Sequence, residues 1–79
     1  MSTLKKYEVM REIYNPCSGK YFFDIHFQSE VYTDNIEETL NQWFYNNLPK
    51  YDKYNLSDGT IIYVLQLPIL ERYTFSEIQ

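Results

Sequence analysis

Lys6-Tyr7-Glu8-Val9-Met10-Arg11-Glu12-Ile13-Tyr14, residues 6–14, alternates along its whole length. Tyr7, Val9, Arg11 and Ile13 point one way, and Lys6, Glu8, Met10, Glu12 and Tyr14 the other. That is the period-two pattern of a strand buried on one side. Asn15-Pro16-Cys17-Ser18-Gly19 follows, a run of turn formers. Beyond it a second strand carries Tyr21, Phe23, Ile25, Phe27 and Val31 on one face. Phe22, Asp24, His26, Gln28, Glu30 and Tyr32 fall on the other. A five-residue loop sets Tyr14 opposite Lys20, Met10 opposite Asp24, Val9 opposite Ile25 and Glu8 opposite His26. A slip of one residue would lay an apolar row against a polar one, so alternation predicts an antiparallel hairpin in this register.

Outward from the hairpin, Asp34 opens a helix as its N-cap, with Glu37 three residues on completing an Asp-x-x-Glu variant of the capping box. Ile36, Leu40, Trp43 and Phe44 recur at helical spacing as one apolar stripe, while Glu38, Asn41, Gln42 and Tyr45 face solvent. Asn46, Asn47 and Pro49 end the helix. Lys50–Leu56 reads as a short strand, Ser57-Asp58-Gly59 as a turn with Gly59 at positive φ, and Thr60–Leu67 as a β-branched strand. Pro68 interrupts, and Glu71–Phe75 reads as the last strand. The order β-β-α-β-β-β predicts an α+β two-layer sandwich, an antiparallel sheet of four to five strands with one helix packed on one face.

With 79 residues, the chain is read as a single small domain, residues 1–79. A domain of this size buries only about 60% of the surface that its unfolded chain exposes. One cysteine, Cys17, excludes an internal disulfide, and with a single histidine, His26, a closed zinc site of His and Cys is out of reach. Self-association is the remaining source of stability. Seven basic against eleven acidic residues, a net charge of -4, argue against direct nucleic-acid binding and against an anionic membrane surface. The first residues lead into no apolar run of signal-peptide length, and no stretch approaches the roughly 18–20 apolar residues of a membrane helix. An unpaired cysteine without an export signal reads as cytoplasmic, and the membrane is not an expected partner.

Four candidate features stand out. Glu8 beside His26, with Glu12 and Asp24 near, has the chemistry of a metal site, although an ordinary cross-strand pair on a solvated face accounts for it and no metal or other cofactor is assigned. Cys17 reads better as a small buried residue closing its turn than as a nucleophile, because it has no thiolate-stabilising neighbour. Arg11 occupies a core-face position. Either it snorkels or pairs with a carboxylate such as Glu71, or it is held ready for an anion or a partner. Last, residues 61–70 are nearly continuously apolar where a one-sided sheet should alternate, and the bend near Pro68 is apolar too.

Nine tyrosines, five phenylalanines and one tryptophan add the amphipathic area typical of contact surfaces. The leading expectation is therefore a non-enzymatic interaction module, a homodimer whose contact comprises Tyr63, Leu65, Leu67, Ile69 and Leu70. Tyr14, Tyr32, Tyr51 and Tyr54 supply a second surface. In size and acidity the chain also resembles small phage-encoded inhibitors that occupy the nucleic-acid groove of a host defence complex. That resemblance implies an acidic face of Glu8, Glu12, Asp24 and Glu30 in place of phosphates. A small oligomeric enzyme or metal-binding protein using His26 and nearby carboxylates is the third reading.

Overall fold

The computed structural model describes residues 4–27 and 29–78. Strands β1 (Lys5–Asn15), β2 (Lys20–Phe23) and β3 (Ser29–Thr33) precede helix α1 (Ile36–Trp43), and β4 (Tyr51–Asn55), β5 (Ile61–Leu65) and β6 (Glu71–Glu77) follow it. All pair antiparallel in one sheet of order β2-β1-β6-β5-β4, with β3 beside β1 as well. The predicted sandwich is present: β2 and β3 are the two halves of the expected second strand. Gln28, placed by alternation on that strand's polar face, lies outside the described residues.

The hairpin exists, but its register differs from the expectation. Asn15 pairs with Lys20 and Tyr14 with Tyr21, because Ser18 and Gly19 both donate backbone hydrogen bonds to the Asn15 carbonyl and close a four-residue loop. Gly19 makes this possible at φ 71°. A shift by one residue turns the strand over. Tyr21 and Phe23 therefore lie on the face away from the helix, with Tyr14 and Glu12, their cross-strand partners.

The chain then leaves the sheet. Asp24 donates its backbone N–H to the Arg11 carbonyl, its side chain accepts from the His26 N–H, and its carbonyl accepts from Phe27 N–H. When pairing resumes, Tyr7 faces Val31 and Glu8 faces Glu30. The excursion restores the original phase, so Val31 points at the core. Glu8 and His26 are not cross-strand neighbours, which removes the geometric basis of the proposed Glu8–His26 pair.

The core is Tyr7, Val9, Tyr63, Leu65, Tyr73 and Phe75 from the sheet with Ile36 and Leu40 from the helix. Aromatic edges meet throughout: Tyr63 on Phe75, Tyr7 on Phe75, and Trp43 stacked on Phe75 at 6.1 Å. Tyr63 and Leu65 are wholly buried. This corrects their assignment to a partner contact: a strand in the middle of the sheet gives one alternate set of side chains to its own core. Among the described residues the buried Tyr63 hydroxyl has no hydrogen-bond partner.

Helix α1 starts one residue later than predicted. The Thr33 hydroxyl, itself buried, both accepts from the Asn35 N–H and donates to the Asn35 carbonyl. Asn35 is thereby held extended as N-cap, and its side chain accepts from Glu38 N–H at 3.1 Å. At the other end Asn46 N–H bonds the Asn41 carbonyl and Tyr45 N–H the Gln42 carbonyl, a Schellman motif. Glycine usually occupies the left-handed position of this motif. Here it is Tyr45, at φ 53° and 88% exposed. A non-glycine residue there carries about 1–2 kcal/mol of strain.

Two stability measurements check this account. Tyr45→Gly should raise the unfolding free energy by about 1 kcal/mol in urea denaturation. Tyr63→Phe removes an unpaired hydroxyl from the core, so it should leave stability unchanged or raise it by about 1 kcal/mol.

Candidate functional site

Arg11 stands on the helix-facing side of β1, beside Tyr73 of β6, past the point where Ile36 and Leu40 cover the sheet. A guanidinium so placed needs partners, and it has three. Nε donates to the Tyr73 hydroxyl at 3.0 Å and to Glu71 Oε1 at 3.3 Å, Nη2 to Glu71 Oε2 at 2.9 Å, and Nη1 to Asp24. The Tyr73 hydroxyl in turn donates to Glu71 Oε1 at 2.9 Å. The predicted Arg11–Glu71 bridge is thus present, and Asp24 is the partner that alternation missed, because it arrives only through the excursion from the sheet.

Electrostatics follow from this geometry. Burial works against the charge on Arg11, but the hydrogen bonds it donates to Glu71, Tyr73 and Asp24 outweigh it and hold the guanidinium more firmly protonated than usual. For Asp24 burial pushes the carboxyl up, and the hydrogen bonds from Arg11 and the His26 N–H more than reverse that, leaving it below the ordinary aspartate range. Burial and the neighbouring Glu71 charge push the Tyr73 phenol up to about 12.

Above this cluster lies a groove of about 660 Å³, walled by Phe27, Trp43, Phe44, Tyr45 and Tyr73, with Arg11, Glu71 and Ser29 in it and His26 and Gln42 at its rim. Phe27 meets Trp43 and Tyr73 edge-on at 5.7 and 5.9 Å, and Phe44 meets Tyr73 at 6.2 Å. The turn that carries Asp24 to Arg11 also carries Phe27 to the helix.

Among the described residues no helix lies on the other side of the sheet. One row across it reads Phe23, Glu12, Arg72, Val64 and Asp52, and the next Met10, Thr74, Ile62 and Tyr54. Met10, Phe23 and Tyr54 are exposed, and Ile62 and Val64 half-buried. At the centre Arg72 grips Glu12 with two 2.9 Å hydrogen bonds and lies 4.1 Å over the Tyr21 ring. A notch of about 430 Å³ opens beside Met10 and Phe23 where β2 gives way to β3.

The other sequence candidates are dispersed. Leu67 packs against the core, Leu70 is half-buried and Ile69 is 53% exposed at the bend between β5 and β6. The expected acidic face is broken up: Glu12 is bound by Arg72, Asp24 by Arg11 and Glu30 by Lys6 at 3.0 Å, with Glu8 the fourth member. Asp24 moreover belongs to the opposite side of the sheet. Cys17 is exposed in its turn instead of buried, as are its neighbours Pro16, Ser18 and Gly19 in the four-residue loop. His26 sits exposed in the Asp24–Phe27 turn, and among the described residues no three His, Cys, Asp or Glu side chains are grouped to hold a metal. Of the four tyrosines expected to share a surface, Tyr14, Tyr32 and Tyr54 lie on the open face, whereas Tyr51 leans on Tyr63 from the helix side. Among the described residues no helix is long and apolar enough to cross a membrane. Compared with protein-family models, curated proteins and solved structures, the chain matches none.

Removing the central cation tests the cluster. Arg11→Met leaves Asp24 and Glu71 facing each other and should cost about 2 kcal/mol, below the value for a fully buried pair because water reaches this one. A depressed folded-state carboxyl contributes stability above its unfolded pKa and loses it as pH falls through the folded value. The stability gap between wild type and Arg11→Met should therefore be constant at neutral pH and narrow below about pH 4, the ordinary aspartate range.

Proposed function

We propose that this chain is a non-enzymatic interaction module that self-associates through the uncovered face of its sheet. The observation that carries the reading is the composition of that face: Met10, Phe23, Ile62 and Val64 clustered around Arg72, Tyr21 and Tyr54. Tyrosine, phenylalanine, methionine and arginine are the residues enriched at protein contacts. The near-continuous apolar run of residues 61–70 finds its account here. Tyr63 and Leu65 fill the chain's own core, and Ile62 and Val64 between them face outward. Leu70 and Ile69, at the bend, flank the contact.

A second copy suits this face better than edge-to-edge pairing. Lys53 points inward from edge strand β4 and pairs with Glu37 at 3.1 Å, an edge defended by a buried-side charge. The opposite edge is broken between β2 and β3. Face-to-face packing of two sheets remains, and the Glu12–Arg72 pair enters it already mutually neutralised. A standard interface takes about 800 Å² per partner, a modest share of the 5714 Å² of exposed surface.

Light scattering across protein concentration, at low and high salt, tests the reading. A dimer that persists in high salt is expected. Val64→Glu should weaken it at least about a hundredfold while the fold, followed by circular dichroism, stays intact, because two-fold symmetry buries the charge twice. Leu70→Glu, at the margin, should weaken it less. A monomer at every concentration sinks the proposal.

A further inference from the structure

Glu8 and Glu30 stand directly opposite one another on the open face, where cross-strand Cβ atoms lie about 4.5–5.5 Å apart and like charges repel. Both border the notch that Met10 and Phe23 also line. A second copy seated on Met10 and Phe23 therefore closes over this pair of carboxylates.

The charges around Glu8 do not balance. Lys6 stands on the same side of β1, but its amine is taken by Glu30 at 3.0 Å and lies 5.7 Å from the centre of the Tyr32 ring. From β6 Glu8 meets the uncharged Ser76, and β2 brings only Phe23 to the notch. His26 opens on the groove at the other side of the sheet. Elsewhere on the open face Arg72 holds Glu12, and the Gln66 amide donates to Asp52 at 2.7 Å. Among the described residues the Glu8 carboxylate has no ion pair, so one cation serves two carboxylates.

Building on self-association through the open face, we propose that acid strengthens that contact: each copy takes up a proton on Glu8 as the two faces meet. In the single chain Glu8 is exposed, and water answers its charge. Covering the notch removes that water and supplies no counter-ion, which disfavours a charged carboxylate. Repulsion from Glu30 acts in the same direction. A protonated Glu8 is neutral, and its hydroxyl has an acceptor in the Glu30 carboxylate. Binding that favours a proton is in turn favoured by the proton, because the coupling is reciprocal.

Sedimentation equilibrium of the full chain at about pH 7.5, 6.5 and 5.5, above the ordinary carboxylate range, tests this. The wild-type dimer should tighten about tenfold from the highest pH to the lowest. Glu8→Gln should already be about tenfold tighter than wild type at the highest pH and lose most of the pH dependence. Glu30→Gln, which leaves Lys6 to Glu8, should do the same. Glu38→Gln, in the exposed first turn of α1 on the other side of the sheet, removes an equal charge and should titrate like wild type. That control separates Glu8 from a general loss of net charge. A wild-type monomer at every pH overturns the self-association itself. A dimer whose strength ignores pH, or a Glu8→Gln dimer that titrates like wild type, overturns the proton uptake alone. A Glu8→Gln dimer weaker than wild type at the highest pH overturns it in favour of a cation supplied to Glu8 by the second copy.

Discussion

A guanidinium on the covered face of a central strand must be neutralised where it stands, and much of this structure is arranged around doing so for Arg11. Glu71 answers from the adjacent strand, at the first residue of β6, and Tyr73 bridges Arg11 and Glu71 through its hydroxyl. Asp24 comes from the other side, on a turn that breaks the second strand in two. Without that turn Phe27 would not reach Trp43 and Tyr73, and the groove would lack one wall. The ionic cluster and the aromatic wall are thus consequences of one excursion.

The excursion also has a topological task. The tight loop after Asn15 sets β2 out of phase with the alternation of β1, which puts Tyr21 and Phe23 on the open side. Were pairing to continue unbroken, Val31 would be expelled from the core and the odd-numbered side chains of the strand would face solvent. Leaving the sheet and rejoining it in the opposite phase returns Val31 to the helix side opposite Tyr7. A single hairpin can in this way feed apolar side chains to both faces: Phe23 to the open face near its tip and Val31 to the core near its base. The open face owes part of its apolar character to that inversion.

The two surfaces differ in kind. On the open face Arg72 and Glu12 satisfy one another, and the guanidinium lies over Tyr21 among the apolar side chains of Met10, Phe23, Ile62 and Val64. In the groove Arg11 and Glu71 are paired, and Asp24 holds the same guanidinium from outside the lining.

Local pattern alone determined the existence and order of the elements, except for the break that divides the second strand into β2 and β3: the alternation of residues 6–14, the helical stripe of Ile36, Leu40, Trp43 and Phe44, and the turn at Ser57–Gly59. Each of these depends on the period of a continuous stretch, which the sequence carries explicitly. The Arg11–Glu71 bridge was legible as well, because an arginine among core-facing positions demands a carboxylate. Register, by contrast, was decided by the number of residues that the Asn15 carbonyl could close into a loop, and the helix start by the Thr33 hydroxyl holding Asn35, details of hydrogen bonding that composition does not encode. Which half of the apolar run 61–70 is core and which is surface, and that Asp24 swings to Arg11, depend on residues as much as seventy positions apart meeting across the sheet. Only the folded chain brings those groups together, and so only the tertiary structure could divide the buried Tyr63 and Leu65 from the outward Ile62 and Val64.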